Sequence, residues 1–269
     1  MYHEVMSESR QAALLAELRA MDTVVVAFSG GVDSTFLAAA AFEALGDRAS
    51  AITGLSPSVA PAEREEATEL AARIGIAHRF VETHEMDNPE YVANSPMRCF
   101  HCKDELYGIL SAIAAEAGGA TVVDGTNADD AGDWRPGRKA AALHGVRSPL
   151  LELGFTKAEI RELSRQRGLP TWDKPAMACL ASRIPHGSPV TVEALDQVGA
   201  AEAVLRSFGI RQVRVRHHGD VARIETDEPG MDLAFAPGNR ARIVERLANL
   251  GFKHVALDLA GYRQGSMNA

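Results

Sequence analysis

Cysteine is scarce in this chain: there are three in 269 residues, an odd number that builds no disulfide framework and suits reduced thiols in a cytosol. Long apolar runs are also missing. Nothing approaches the roughly 18 to 20 consecutive residues of a membrane span, and with 46% hydrophobic and 24% charged residues the composition reads as soluble and globular. The opening segment MYHEVMSESRQAALLAELRA carries acids where a basic, apolar leader would stand, so no export is expected and the implied location is cytoplasmic. Positive charge is not in excess either. A net charge of -8 argues against a protein whose main task is to grip a polyanion such as tRNA, although RQVRVRHH forms a local basic patch. Internal repeats and low-complexity tracts are absent.

What is present is a strand–helix alternation. Residues 8 to 20 have helical spacing, TVVVAF at 23–28 is a buried-strand run, 34–45 is helical, and ASAITGL at 49–55 is a second strand. A helix opening at Pro61 and a third strand, AHRFVET, complete a βαβαβ pattern and hence a parallel sheet. After a CxxC, residues 104–118 carry a helical stripe, TVVDGTN is a strand ending in a loop, and that loop is expected to run on through ADDAGDWRPGRKAA. Thr156 and Glu159 form a capping box for a helix that GLP at 168–170 stops. A long proline-containing connector, WDKPAMACLASRIPHGSP, follows. From about residue 190 the pattern becomes helix (191–207), two alternating strands joined at HGD, helix (238–249) and strand. The expected organisation is an α/β domain over 1–185 and a small α+β domain over 186–269.

SGGVDS, residues 29–34, directly follows a strand and opens a helix. Ser29, Gly30 and Gly31 permit a tight turn whose N–H groups face an anion at the positive helix end, where Ser34 adds a hydroxyl. It is not a Walker A loop, since no lysine follows the glycines. The pattern resembles the PP-loop of ATP pyrophosphatases, which transfer AMP from ATP to a substrate oxygen; in that reading Asp33 helps hold Mg2+ on the phosphates. A glycine-rich turn without a ligand is the competing reading. Asp124, Gly125 and Thr126 end a strand at the carboxyl edge of the sheet, where open α/β folds bind ligands, and are expected beside the nucleotide.

The cysteines fall as Cys99 and Cys102 in one CxxC and Cys179 far downstream. Two thiols one short turn apart suit zinc, an iron–sulfur cluster or redox exchange. Tetrahedral zinc would need a fourth ligand, for which His101 is poorly placed. Three thiolates suit a 4Fe-4S cubane with one iron left open, while an isolated zinc half-site beside a merely buried Cys179 remains the plainer alternative.

With AFSGGVDST, NSPMRCFHCKDELY, DGTNADDAGDWRPGRKA, KPAMACLASRIPHG, VRVRHHGDVARIE and LDLAGYRQG in this order, the chain resembles the LarE family over nearly its whole length. These are ATP-dependent sulfur transferases that help build the nickel-pincer nucleotide cofactor of lactate racemase. The resemblance implies the PP-loop fold, akin to the adenine nucleotide alpha hydrolases, with helices on both faces of the sheet. It implies adenylation of a carboxylate of pyridinium-3,5-biscarboxylic acid mononucleotide, then displacement of AMP by sulfur. Single-cysteine members sacrifice that cysteine; those with three carry a 4Fe-4S cluster, and Cys99, Cys102 and Cys179 align this chain with them. Whether Cys179 matches the sacrificial position stays open.

Arg214 and Arg216 alternate on a strand and so share a face, a geometry suited to forking a phosphate. The resemblance gives that pair to the substrate's phosphate, with Ser182 and Arg183 behind Cys179 bordering the same pocket; Glu202 and Glu225 are candidates for ion contacts there, and a solvated charged face is the alternative for the arginines and glutamates. Asp129, Asp130 and Asp133 shape a magnesium site or a solvated loop, Trp134 and Arg135 anchor that loop, and Met177 packs. A homo-oligomer, as large as a hexamer, is implied by the resemblance. No nucleic-acid or membrane partner is expected. Competing readings are a cluster-dependent tRNA thiolase and a nucleotide-binding regulator with structural zinc.

Overall fold

The computed structural model describes residues 2–132, 136–175 and 178–263, with backbone alone over residues 2–8. Along the chain the elements are α1 (Tyr2–Ala20), β1 (Val24–Ala27), α2 (Val32–Leu45), β2 (Ala49–Leu55), α3 (Pro61–Ile74), β3 (Ala77–Glu82), α4 (Pro89–Val92), α5 (Arg98–Glu116) and β4 (Thr121–Val123). Then come α6 (Gly137–Leu143), α7 (Pro149–Glu152), α8 (Lys157–Gln166), α9 (Val192–Ser207), β5 (Val213–His218), β6 (Val221–Thr226), α10 (Glu228–Phe235), α11 (Asn239–Asn249) and β7 (His254–Leu257). They fall into two compact units. Met1–Ser56, Pro61–Glu85 and Met97–Met177 make the first; Pro57–Ala60, Met86–Pro96 and Ala178–Ala269 make the second.

The first unit is built on an all-parallel sheet of order β3-β2-β1-β4. Its central strand β1 is Val-Val-Val-Ala and is buried along its whole length, because both faces are covered. Alternate side chains go to opposite faces. Val24 and Val26 join Phe36 and Leu37 of α2, Leu14 and Leu18 of α1 and Phe155 in one apolar cluster. Val25 and Ala27 join Tyr107 and Leu110 of α5 and Ala140 of α6 in another. The α/β class expected from the sequence pattern, with the helices on both faces that the resemblance implies, is the observed one.

The second unit carries a three-stranded mixed sheet, β5-β6-β7, in which β5 and β6 form an antiparallel hairpin and β7 runs parallel to β6. The hairpin turns at Gly219, whose φ of +61° is a conformation glycine adopts without strain. Leu205 of α9, Val213 and Val215 of β5, Ile224 of β6 and Leu247 of α11 fill its core. Among the described residues no helix is long and apolar enough to cross a membrane.

Three helices stand out among the differences from the sequence reading. The loop expected to run on past Asp133 contains α6, whose Ala140 is fully buried; packing onto the α5 face outweighs the Arg-Pro-Gly signal at its start. Helix α5 begins at Arg98, so the CxxC lies within it instead of before it. Helix α10 is also additional. Its Asp-Glu-Pro-Gly start resembles a turn, but Pro229 sits in the first helical turn, where its missing N–H costs nothing, and the Asp227 side chain accepts from the Gly230 amide at 3.0 Å.

The capping box is present as expected: the Thr156 hydroxyl accepts from the Glu159 amide at 3.3 Å, and the Glu159 carboxylate accepts from the Thr156 amide at 2.9 Å. Thr156→Ala removes one of two reciprocal caps and should cost about 1 kcal/mol. A lowering of the melting temperature by about 2–4 °C, followed by circular dichroism, is the expected readout.

Candidate functional site

In the first unit the carboxyl edge of the sheet gathers the glycine loop. After β1 the Phe28 amide donates to the Ile52 carbonyl at 2.9 Å, the Phe28 carbonyl accepts from the Thr53 hydroxyl at 2.7 Å, and the chain then turns. Gly30 takes a φ of +66°, and Gly31 is the N-cap of α2 with no side chain capping the helix. The first-turn amides of α2 are therefore available to an anion. The loop is braced from within. The Ser29 and Ser34 hydroxyls lie 3.0 Å apart, and Ser34 Oγ donates to the Gly31 carbonyl at 3.3 Å.

The end of β4 closes against this loop. Gly125 packs so tightly that an added Cβ would stand 2.9 Å from the Ser34 nitrogen and 3.1 Å from the Asp33 carbonyl carbon, both backbone atoms. The preceding Asp124 is buried and ties several elements together. It accepts from the Tyr107 hydroxyl of α5 at 2.7 Å, from the Ser148 hydroxyl at 2.7 Å and from the Thr126 amide at 3.1 Å. Burial, then the Asp124 carboxylate, push the Tyr107 phenol far above its ordinary value, so it stays a proton donor at every working pH.

Asp33, in the first turn of α2, pairs with the Lys157 ammonium and accepts from Asn127 Nδ2 at 3.3 Å. Lys174 Nζ donates to the Gly30 carbonyl at 2.9 Å and pairs with Glu66 at 2.8 Å. Lys157, Lys174 and Asn127 thus stand at the loop without having been singled out in the sequence. The signal for Lys157 was its place directly after the capping Thr156, at the first position of α8. Asp129 and Asp130 accept backbone amides, from Lys157 at 2.8 Å and from Asn127 at 3.1 Å. Asp133, Trp134, Arg135 and Met177 lie outside the described residues.

Cys99 and Cys102 sit one helical turn apart at the start of α5, the first exposed and the second half-buried, neither in a disulfide. An i, i+3 spacing puts both on one helix face. The His101 ring lies edge-on to Phe100, with centroids 5.4 Å apart. Cys179, also outside any disulfide and half-buried, belongs to the second unit and directly precedes a 3-10 turn over Leu180–Arg183. Among the described residues no group of three or more His, Cys, Asp or Glu side chains stands together in a metal-holding arrangement.

The second unit has its own charged centre. Arg183 is 2% exposed and Glu202 0%; Arg183 Nε and Nη2 donate to the two Glu202 oxygens at 2.7 and 3.0 Å. Glu202 also accepts from Arg206 Nη2 at 2.9 Å and from the Val215 amide at 3.1 Å. Arg214 and Arg216 are buried on alternate positions of β5. Arg216 Nη2 donates to Glu225 at 2.7 Å and its Nη1 to the Ser182 carbonyl at 2.9 Å, while Arg214 lies over the Tyr262 ring at 5.3 Å. Burial, then the neighbouring Arg183, hold the Arg214 guanidinium below its ordinary value. Burial opposes the Glu202 charge, yet Arg183, Arg206 and Arg214 hold its carboxyl below the ordinary 4.5.

The parallel sheet and the glycine loop at its carboxyl edge define the PP-loop fold of the ATP pyrophosphatase class. A family model described as NAD synthase matches residues 11–95. An uncharacterised protein of Synechocystis sp. is 46% identical, spanning 98% of this chain and 98% of its own. The pyridinium-3,5-bisthiocarboxylic acid mononucleotide synthase of Lactiplantibacillus plantarum is 38% identical, over 97% of this chain and 94% of its own. A tRNA-specific 2-thiouridylase of Heliobacterium modesticaldum is 32% identical over 57% of this chain and 50% of its own. The chain belongs to the LarE family, that of the pyridinium-3,5-bisthiocarboxylic acid mononucleotide synthases.

Two outcomes follow from this geometry. Gly125→Ala drives a methyl into backbone that cannot swing away, so the loop must shift; ATP affinity measured by calorimetry should fall about tenfold or more with the far-ultraviolet spectrum unchanged. Glu202→Ala leaves Arg183 buried without its carboxylate and should cost about 3–5 kcal/mol in urea unfolding. Since the folded Glu202 pKa is depressed, its contribution is complete above the unfolded value of 4.5 and is lost only as pH falls through the lower folded value.

Proposed function

We propose that this protein is an ATP-dependent sulfur transferase that converts a carboxylate of pyridinium-3,5-biscarboxylic acid mononucleotide to a thiocarboxylate, releasing AMP and pyrophosphate. The observation that carries the reading is the 38% identity to the synthase of L. plantarum across almost the full length of both chains. The loop geometry agrees with it. Carboxylate oxygen is a very poor leaving group, and adenylation converts it to a good one.

In this reading the α2 amides and the Ser29 and Ser34 hydroxyls receive the phosphates of ATP, with Gly30, Gly31, Gly125 and Thr126 shaping the loop. Asp33 is the proposed Mg2+ ligand, so Lys157 must release or share its carboxylate when the ion binds. A lysine already paired with Asp33 then stands beside the transferred charge. In the second unit, Arg214 and Arg216 with Ser182 are the proposed holders of the substrate phosphate, and Arg183 stands among them. Support comes from the charge balance. Arg183, Arg206, Arg214 and Arg216 outnumber Glu202 and Glu225 there, and a guanidinium held below its ordinary pKa by burial and then by a neighbouring guanidinium gains from an added anion.

Cys99, Cys102 and Cys179 are the proposed ligands of a 4Fe-4S cluster. The donor chemistry fits: all three are cysteines outside any disulfide, none fully buried, and three thiolates leave one iron open. When bound, the cluster supplies a sulfur source at that iron. The protein is proposed to act in the cytoplasm as a homo-oligomer, as large as a hexamer. The partial likeness to a tRNA 2-thiouridylase supports tRNA thiolation as the second reading.

Anaerobically purified protein should be brown, with about four irons per chain. It should release pyrophosphate from ATP only with the pyridinium nucleotide, yielding a product with sulfur in place of oxygen by mass spectrometry. Replacing Cys99, Cys102 or Cys179 with Ala should bleach it. Stoichiometric zinc, no iron and no pyrophosphate release would overturn the reading in favour of a nucleotide-binding regulator. Tight, salt-dependent tRNA binding would favour the thiolase. Loss of the Cys179 sulfur as hydrogen sulfide after one turnover would replace the cluster by a sacrificial route.

A further inference from the structure

The segment Ala178–Ser188 has one 3-10 turn and no other regular structure, yet three buried side chains of the same unit hold it by its carbonyls. Asn94 Nδ2 donates to the carbonyls of Ile184, Pro185 and Ser188 at 3.2, 2.9 and 2.9 Å. Arg216 Nη1 donates to that of Ser182 at 2.9 Å. Arg183 Nη1 donates to those of Ala178 and Cys179 at 2.6 and 3.1 Å.

The last contact is special in its position. The Ala178 carbonyl belongs to the peptide plane before the Cys179 Cα, and the Cys179 carbonyl belongs to the plane after it. Holding both planes at one nitrogen fixes the two backbone dihedrals of Cys179, at φ -56° and ψ 152°. The far side of the second plane is fixed too, since the Leu180 amide donates to the Ser58 carbonyl at 3.0 Å. Arg183 is itself anchored. Its other edge is locked as a fork onto Glu202, which is fully buried and further held by Arg206 and the Val215 amide.

We propose that Arg183 is the positioning residue of Cys179: anchored on Glu202 of α9, it grips both peptide planes around the cysteine and sets the direction in which the thiol leaves the chain. It acts through the backbone of Cys179 and need not touch substrate. This rests on the reading in which Cys179 takes part in sulfur delivery; the grip itself does not depend on it.

The test compares wild type with Arg183→Lys, Arg183→Gln and the double variant Arg183→Gln/Glu202→Gln. The double variant removes the buried charge pair together and so guards against simple misfolding. Amide hydrogen exchange is followed at Leu180 and Ser182, and steady-state kinetics with ATP and the pyridinium nucleotide. All three variants should exchange at these amides about tenfold faster or more, because local opening no longer breaks the grip. Their kcat for sulfur transfer should fall about 100-fold, with KM for the pyridinium nucleotide within about twofold. Lysine keeps the charge and loses the fork, so it should not rescue. Unchanged exchange, rescue by lysine, or a tenfold rise in KM at constant kcat would overturn the proposal, the last by making Arg183 a substrate contact. If wild type transfers no sulfur to the pyridinium nucleotide, the functional reading fails, and exchange alone still decides for or against the grip.

Discussion

The first unit depends on a close approach between two backbone segments. Parallel pairing places β1 between β2 and β4, so the chain ends of β1 and β4 emerge side by side at the carboxyl edge. There Gly125 sits where a single methyl would collide with the Ser34 amide. That tolerance of under one carbon atom fixes the loop, and the rest is arranged to preserve it. Buried valines of β1 resist any shift of the strand, and the Asp124 carboxylate holds α5 and the segment at Ser148 to the same edge. A rigid edge of this kind presents helix amides at a constant spacing, which is what an anion site needs.

The second unit solves a different problem. Burying several arginines is costly unless their donors are satisfied, and here carboxylates and main-chain carbonyls share the task. Glu202 collects bonds from two arginines and one backbone amide, joining α9, β5 and the turn after Cys179. The result is a positively biased centre whose geometry is set by buried hydrogen bonds instead of by solvent-exposed side chains. An ammonium in place of any of these guanidiniums would keep the charge and lose the two-sided grip.

Much of this was legible in the residue order. Strands β1 and β4 of the first sheet are short β-branched runs followed by turn formers, and the Thr156–Glu159 cap is a local motif that needs no tertiary partner. Local signals misled where packing overruled them. Arg-Pro-Gly before α6 and Pro-Gly within α10 resemble turns, yet Ala140 against α5 and the Asp227 cap make helices of both. Lys174 carried no signal of its own and Lys157 only its place after the capping Thr156, because a lysine's partner is chosen across the fold, here Gly30 at 144 positions' distance and Asp33 at 124.

The sequence by itself determined the alternation of strands and helices, the glycine loop at the start of α2, the count and spacing of the thiols and, through the order of its motifs, the family. Those properties are written in nearest-neighbour preferences and in residue identity. Tertiary structure alone decided that Gly125 closes on Ser34, that Asp33 meets Lys157, and that Arg183 turns inward to Glu202 and the backbone of Cys179. Charged side chains look alike along a chain whether they face water or a buried carboxylate, and only packing determines which of the two they meet.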